Sequence, residues 1–179
     1  FNASTPILYY NKDLFRAAGL DPDVAPKTWP EVGEAAKRLR AAGAICGLTT
    51  SWPSWINVEN FSAFHNLPLA TRANGFGGLD TELTFNNQHV VQHIAQLAEW
   101  QATKVFDYSG RGQSAEPRFQ NGECGIFIGS SATRADIKAN SKFDVRCGML
   151  TDLPDGAGVH PKHILRGATP WGRGVPGQT

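Results

Sequence analysis

The chain has 179 residues, with 17 basic and 16 acidic side chains and a formal net charge of +1. Hydrophobic residues make up 41% and aromatic residues 10% of the sequence, which excludes a disordered chain and allows one buried core. The balanced charge predicts no nucleic-acid partner, and no apolar run is long enough to predict a membrane-spanning helix.

Hydrophobic periodicity and turn residues predict alternating strands and helices. The predicted strands lie at residues 6–10, 45–50, 124–128, 145–150 and 163–168. The predicted helices lie at residues 12–18, 56–64, 89–100, 117–119 and 132–139, and a further helix begins at the capping box of Thr28 and Glu31 and ends at Gly43. The alternation predicts an α/β fold in which at least some strands pair in parallel.

The helix predicted over residues 89–100 carries two histidines four residues apart, His89 and His93. This spacing occurs in zinc sites, but no HExxH pattern accompanies it, so we expect a solvated pair and no bound metal. The expected buried face of this helix consists of Val90, Ile94, Leu97 and Ala98.

Two of the three cysteines, Cys46 and Cys124, each begin an apolar run and are able to face each other across paired strands. Free buried thiols explain the same pattern equally well, so the sequence leaves a disulfide and free thiols open. Cys147 adds no CxxC pair, and we expect no zinc site built from cysteines.

The turn Gly129-Ser130-Ser131 is the first candidate binding site, because it joins a predicted buried strand to a predicted helix. The first amides of a helix have no partner within it, so with the two hydroxyls they would hold an anion such as phosphate or carboxylate. In the alternative, Ser131 only caps the helix. A remote third hypothesis is a small serine hydrolase using Ser130 or Ser131 with a histidine, although the GxSxG pattern is absent.

Trp52 and Trp55 form the second candidate site, in a segment without charges that follows a predicted strand. Indole faces would contact the apolar side of a sugar or glycerol group, or a choline headgroup. Packing in the core is the alternative for both. Because Phe1 has no preceding methionine and residues 172–179 show no periodicity, we also expect the chain to be a piece of a longer protein.

Several motifs resemble the bacterial extracellular solute-binding proteins, the family that includes the maltose binder. These are FNASTPILYYNKD at residues 1–13 and PKTW at residues 26–29. The motifs SWPSWI (51–56), ENFSA (59–63), NGF (74–76) and GSS (129–131) are similar to the glycerol-3-phosphate-binding branch of that family. The resemblance runs from Phe1 to about Trp171.

The resemblance implies a periplasmic-binding-protein-like (type II) fold of two lobes, of which this chain supplies mostly one: a mixed sheet flanked by helices. Residues 1–6 would form the first crossover between the lobes and residues 7–165 the second-lobe α/β domain. Residues 166–179 would form the return crossover and an irregular end.

The resemblance also implies a substrate-binding component of an ABC importer that acts in organic-phosphate uptake and is not an enzyme. It would bind sn-glycerol 3-phosphate, or glycerophosphodiesters such as glycerophosphocholine, and deliver the ligand to inner-membrane permease subunits. We expect it to be a monomer without cofactors, either periplasmic or anchored to the membrane outside the cytoplasm. A sugar or oligosaccharide is the alternative ligand.

By the same resemblance, Ser4, Ser130 and Gly167 fall on family positions that contact glycerol phosphate. Trp52 and Trp55 fall on aromatic positions that pack on the glycerol group. Other contacts of the family, including an arginine, lie outside this chain, so we expect the chain alone to bind weakly or not at all.

Overall fold

The computed structural model describes residues 3–153 and 167–168, and all structural statements below concern those residues. Their strands are β1 (Ala3–Ser4), β2 (Pro6–Asn11), β3 (Cys46–Thr50), β4 (Cys124–Ser130), β5 (Val145–Gly148) and β6 (Gly167–Ala168). Their helices are α1 (Lys12–Ala17), α2 (Trp29–Ala41), α3 (Phe61–Phe64), α4 (Thr71–Asn74), α5 (Gln88–Ala102), α6 (Ala115–Gln120) and α7 (Arg134–Asn140). A π-helix, Trp55–Asn60, precedes α3, and a 3₁₀ turn, Ser131–Thr133, precedes α7.

Four strands form one mixed sheet in the order β3-β4-β2-β5, while β1 pairs with β6 separately. β4 is parallel to β3 and antiparallel to β2, which confirms the predicted α/β fold with partly parallel pairing. In the β3–β4 register Cys46 lies opposite Cys124, and the two form a disulfide. Of the two possibilities that the sequence leaves open, the disulfide is therefore correct. Most of the strand predicted at 163–168 lies outside the described residues.

The sheet separates two hydrophobic clusters because alternate residues of each strand point to opposite faces. Leu8 and Ile126 face the larger cluster, which includes the inner side of α2. Tyr9 and Phe127 face the smaller cluster, which α6 and α7 cover with Phe119 and Ile137. Helices on both faces make a three-layer arrangement, and both faces of the sheet are protected from solvent.

The helix starts predicted for α1 and α2 are confirmed. The Asn11 side chain accepts hydrogen bonds from the amides of Asp13 and Leu14 at 2.9 and 3.0 Å. Thr28 Oγ1 accepts from the Glu31 amide at 3.3 Å, and Glu31 Oε2 accepts from the Thr28 amide at 3.3 Å, which completes the capping box.

Helix α5 buries a different face from the one predicted, and its buried residues are Val90, His93, Leu97 and Trp100. Ile94 is 41% exposed and Ala98 is also exposed, so their predicted burial is wrong. His93 takes the inner position because its ring stacks on Phe61, with centroids 4.1 Å apart and planes 6° apart. Burial lowers the pKa of His93 to about 3, so it packs as a neutral aromatic ring. The expectation of a solvated pair is therefore wrong for His93, while His89 is exposed.

No helix within residues 3–153 and 167–168 combines the length and the apolar character needed to cross a bilayer. In the same part of the chain, no three His, Cys, Asp or Glu side chains are grouped so that they could hold a metal ion.

Candidate functional site

Strand pairing brings three of the five predicted site residues together. Ser4 lies opposite Gly167 in the β1–β6 pair, and Pro6 lies opposite Ser130 in the β2–β4 pair. The residue between these pairs is Thr5, whose amide donates to Ser131 Oγ at 3.1 Å and whose carbonyl accepts from the Ser131 amide at 2.7 Å. Backbone segments that are 126 residues apart in sequence therefore meet beside Ser4, Ser130 and Gly167.

Ser130 is held firmly where β4 ends. It is 7% exposed, its Oγ accepts from the Ala132 amide at 3.0 Å, and its carbonyl accepts from the Tyr9 hydroxyl at 2.7 Å and from Thr133 Oγ1 at 2.9 Å. Burial raises the pKa of Tyr9 to about 12, so the phenol stays protonated and donates throughout the physiological range. Ser130, rather than Ser131, is thus the residue that caps the following turn.

The first two amides after β4 already have partners within the protein. The Ser131 amide donates to Thr5, and the Ala132 amide donates to Ser130. The expectation that these two amides are open to an anion is therefore wrong: Thr5, which is distant in sequence, takes the first, and the Ser130 side chain takes the second. Both serine hydroxyls accept an amide hydrogen in these bonds, and each keeps its own hydrogen to donate to a ligand oxygen.

The tryptophan segment begins beside the same end of the sheet. The Ser51 amide donates to the Ile128 carbonyl at 3.2 Å, two residues before Ser130. The next residue, Trp52, is 45% exposed and has φ of +45°, a conformation that is uncommon for a bulky side chain. Its amide donates to the Gly112 carbonyl at 3.0 Å, and its carbonyl accepts from Ile56 at 2.9 Å. Strain of this kind is concentrated at functional sites, which supports Trp52 as a ligand contact.

Trp55 is partly buried and packs against the larger hydrophobic cluster. For Trp55 the alternative of packing in the core is therefore partly correct. It begins the π-helix, in which the Phe61 amide donates to the Ile56 carbonyl five residues earlier. The Asn60 side chain donates from Nδ2 to the Trp55 carbonyl at 2.9 Å and so supports the wide turn. π-Helical turns occur frequently at functional sites.

Three residues with a structural part in this site are absent from the sequence prediction: Thr5, Tyr9 and Asn60. A buried tyrosine needs a partner for its hydroxyl, which is a usable signal for Tyr9. For Asn60 the sequence offers no comparable signal, because the burial of this polar side chain follows from the π-helix, whose first carbonyl it bonds.

The serine-hydrolase hypothesis requires a histidine hydrogen-bonded to Ser130 or Ser131. Among the described residues, the hydroxyls of these serines bond to backbone amides, and His65 instead bonds to the Phe61 carbonyl at 2.7 Å and to the Leu153 amide at 3.2 Å. No described histidine is hydrogen-bonded to either serine. His160 and His163 lie outside the described residues.

The fold and the sequence place this chain in a known class of binding proteins. The family model described as "Bacterial extracellular solute-binding protein" matches residues 1–171, and the chain belongs to this family. It is 45% identical over 171 residues to the sn-glycerol-3-phosphate-binding periplasmic protein UgpB of Yersinia enterocolitica, and 43% identical to that of Escherichia coli. Each match covers 96% of this chain and 39% of the relative, so the chain spans about two-fifths of the length of these relatives.

Solved structures confirm the fold. The cyclic alpha-maltosyl-1,6-maltose binding protein from Arthrobacter globiformis matches with a TM-score of 0.69 at 19% identity, covering 89% of this chain and 39% of its own. UgpB from Mycobacterium tuberculosis in complex with glycerophosphocholine matches with a TM-score of 0.67 at 22% identity, covering 87% of this chain and 39% of its own. The predicted periplasmic-binding-protein-like fold, with this chain as part of one lobe, is therefore correct.

Proposed function

We propose that the chain is part of the substrate-binding component of an ABC importer and that this component binds sn-glycerol 3-phosphate or a glycerophosphodiester such as glycerophosphocholine. The observation that carries the proposal is the meeting of Ser4, Ser130 and Gly167 in a chain that is 45% identical to a glycerol-3-phosphate binder. The bound ligand would pass to inner-membrane permease subunits. The component would act as a monomer outside the cytoplasm, with no cofactor and no chemical step.

The proposed contacts divide between the two ends of the ligand. The Ser4 and Ser130 hydroxyls donate to phosphate oxygens, and Gly167 contacts the phosphate end of the ligand beside Ser4. The half-exposed indole of Trp52 and the partly buried indole of Trp55 pack on the glycerol group. Hydrogen bonds to charged phosphate oxygens contribute about 1.5–3 kcal/mol each.

The proposed domain organisation explains how the ligand would bring the two lobes together. Residues 1–6 and 166–179 are the proposed crossovers between lobes, and residues 7–165 are the proposed second-lobe domain. The pairing of Ser4 with Gly167 places one residue from each crossover side by side. A ligand that contacts both lobes stabilises the closed state more than the open one.

A sugar or oligosaccharide is the second candidate ligand. The exposed face of Trp52 favours it, since aromatic rings also pack on the apolar side of sugar rings. The two candidates differ in the group that the serine hydroxyls meet, because a neutral sugar presents no anionic oxygen there.

Isothermal titration of the full-length protein that carries this chain separates the candidates. We expect binding of glycerol 3-phosphate or glycerophosphocholine and none of maltose, and about tenfold or greater loss of phosphate-ligand affinity in Ser130→Ala. The matched control is Ser141→Ala, at the end of α7, which should bind as the wild type does. Binding of maltose alone would refute the phosphate assignment.

A further inference from the structure

Thr5 is the single residue between β1 and β2, and both of its backbone polar groups bond to one residue, Ser131. The Ser131 amide donates to the Thr5 carbonyl at 2.7 Å, and the Thr5 amide donates to Ser131 Oγ at 3.1 Å. In the β2–β4 register Ser131 is the position opposite Thr5, one step beyond the pair of Pro6 and Ser130. The contact therefore extends the sheet by one pair of residues.

This extension depends on the Ser131 side chain. In a regular antiparallel ladder, a hydrogen-bonded pair exchanges two backbone bonds, so the Thr5 amide would donate to the Ser131 carbonyl. That carbonyl is turned into the following helical turn, where it accepts from the Arg134 amide. The Ser131 hydroxyl accepts from the Thr5 amide instead of that carbonyl. The strand pairing therefore continues after the chain has begun to turn.

Few other bonds fix β1 against β4 in the described part of the chain. Pro6 and Ser130, next to the pair of Thr5 and Ser131, form a non-hydrogen-bonded pair of the antiparallel ladder, so no backbone bond joins β2 to β4 at that position. Within residues 3–153 and 167–168, β1 itself pairs only with the two residues of β6. The position of Ser4 relative to Ser130 is thus set largely through Thr5.

We propose that Ser131 is a positioning residue of the ligand site, whose hydroxyl holds Thr5 and so keeps Ser4 aligned with Ser130. This inference rests on the proposed function, because it assigns Ser131 to the geometry of that same phosphate site. Small misplacements of binding groups weaken charge-assisted hydrogen bonds steeply, so loss of the hydroxyl lowers ligand affinity more than it lowers stability.

Two pairs of variants separate the hydroxyl from the shape of the side chain. Ser131→Ala removes the acceptor, whereas Ser131→Thr keeps an oxygen at the same position. Ser131→Val has nearly the shape of the threonine variant without the hydroxyl, so this comparison remains informative if the alanine variant folds poorly. Ser141→Ala is again the control for loss of a serine hydroxyl elsewhere.

Two measurements on the full-length protein test the proposal: hydrogen exchange of the Thr5 amide, and affinity for sn-glycerol 3-phosphate. We expect Ser131→Ala and Ser131→Val to exchange Thr5 at least tenfold faster and to bind about tenfold more weakly, with melting temperatures close to the control. Ser131→Thr should resemble the wild type in both measurements.

The two possible failures give different results. Unchanged exchange at Thr5, or unchanged affinity despite faster exchange, would overturn the positioning role of Ser131. Absence of glycerol 3-phosphate binding by the wild type would instead refute the proposed function and the ligand half of this inference. In that case the exchange rate of Thr5 still decides whether Ser131 holds the segment.

Discussion

The Asp107→Asn substitution should destabilise the edge of the sheet next to the tryptophan segment. Asp107 is 6% exposed, and its carboxylate accepts hydrogen bonds from Lys104 at 2.8 Å, Gln101 at 3.0 Å and Arg118 at 2.6 Å. Its carbonyl also accepts from Thr49 Oγ1 of β3 at 2.8 Å. Burial alone raises the pKa of Asp107, but these three side-chain donors outweigh burial and lower the pKa to about 2.

The size of the effect follows from this shift. A pKa that falls from the ordinary 3.8 to about 2 corresponds to roughly 2.5 kcal/mol in favour of the charged folded state. Because the folded pKa is the lower one, this stabilisation is complete well above pH 4 and disappears as the pH falls toward 2. At pH 3 about half of it remains.

Urea denaturation at pH 7 and pH 3 tests the reasoning. We expect Asp107→Asn to lower the free energy of unfolding by about 2–3 kcal/mol at pH 7 and by about half of that at pH 3. The control is Asp80→Asn, whose surface pair with Arg72 should contribute less than about 1 kcal/mol. An Asp107→Asn loss that is the same at both pH values, or no larger than the control, would refute the electrostatic explanation.

Three further predictions concern the disulfide, the histidine stack and the strained tryptophan. Replacing both Cys46 and Cys124 with alanine should lower the free energy of unfolding by about 4 kcal/mol, because the disulfide spans 78 residues. A urea denaturation curve that matches the wild type would contradict this. The wild type should lose stability as the pH falls below about 6.5, since folded His93 stays neutral down to about pH 3. His93→Phe should keep the stack on Phe61 and reduce that loss between pH 7 and pH 5 in thermal melts; an unchanged pH dependence would exclude His93 as its source. Trp52→Gly should be about 1 kcal/mol more stable than Trp52→Ala, because glycine adopts φ of +45° freely, and equal melting temperatures would disprove the strain.

Local signals in the sequence are sufficient for the starts of α1 and α2 and for most strands. The Asn11 cap and the Thr28 capping box involve residues within three positions of one another, so a single window of sequence contains the whole interaction. The disulfide cannot be predicted from local signals, because Cys46 and Cys124 become partners only through the register of two strands far apart in sequence. The local sequence pattern alone therefore does not decide between a disulfide and free thiols.

The errors arise where a distant partner decides the outcome. His93 has the polarity of a surface residue, but Phe61 and Trp29 supply aromatic surfaces that favour its neutral ring in the interior. The sequence suggests that the amides after β4 have no hydrogen-bond partner. In the structure one of them, the Ser131 amide, donates to the Thr5 carbonyl, 126 residues away in sequence. The family resemblance indicated the residues of the site, but it did not show which of their polar groups the protein already uses.

The Ser130 hydroxyl caps the turn after β4 and is also a proposed ligand contact, so a loss of affinity in Ser130→Ala has two possible causes. Ser130→Ala removes the bond to the Ala132 amide, which costs about 1 kcal/mol as a lost helix cap. A domain with an ordinary stability of at least 5 kcal/mol would remain more than 99% folded after that loss. Unfolding raises the apparent dissociation constant by the inverse of the folded fraction, so a tenfold effect would require about 90% of the protein to be unfolded. A tenfold loss of affinity in a variant that still melts cooperatively near the wild-type temperature therefore does not come from unfolding. It comes from the lost contact of the hydroxyl with the ligand or from a local shift of the turn that the hydroxyl caps.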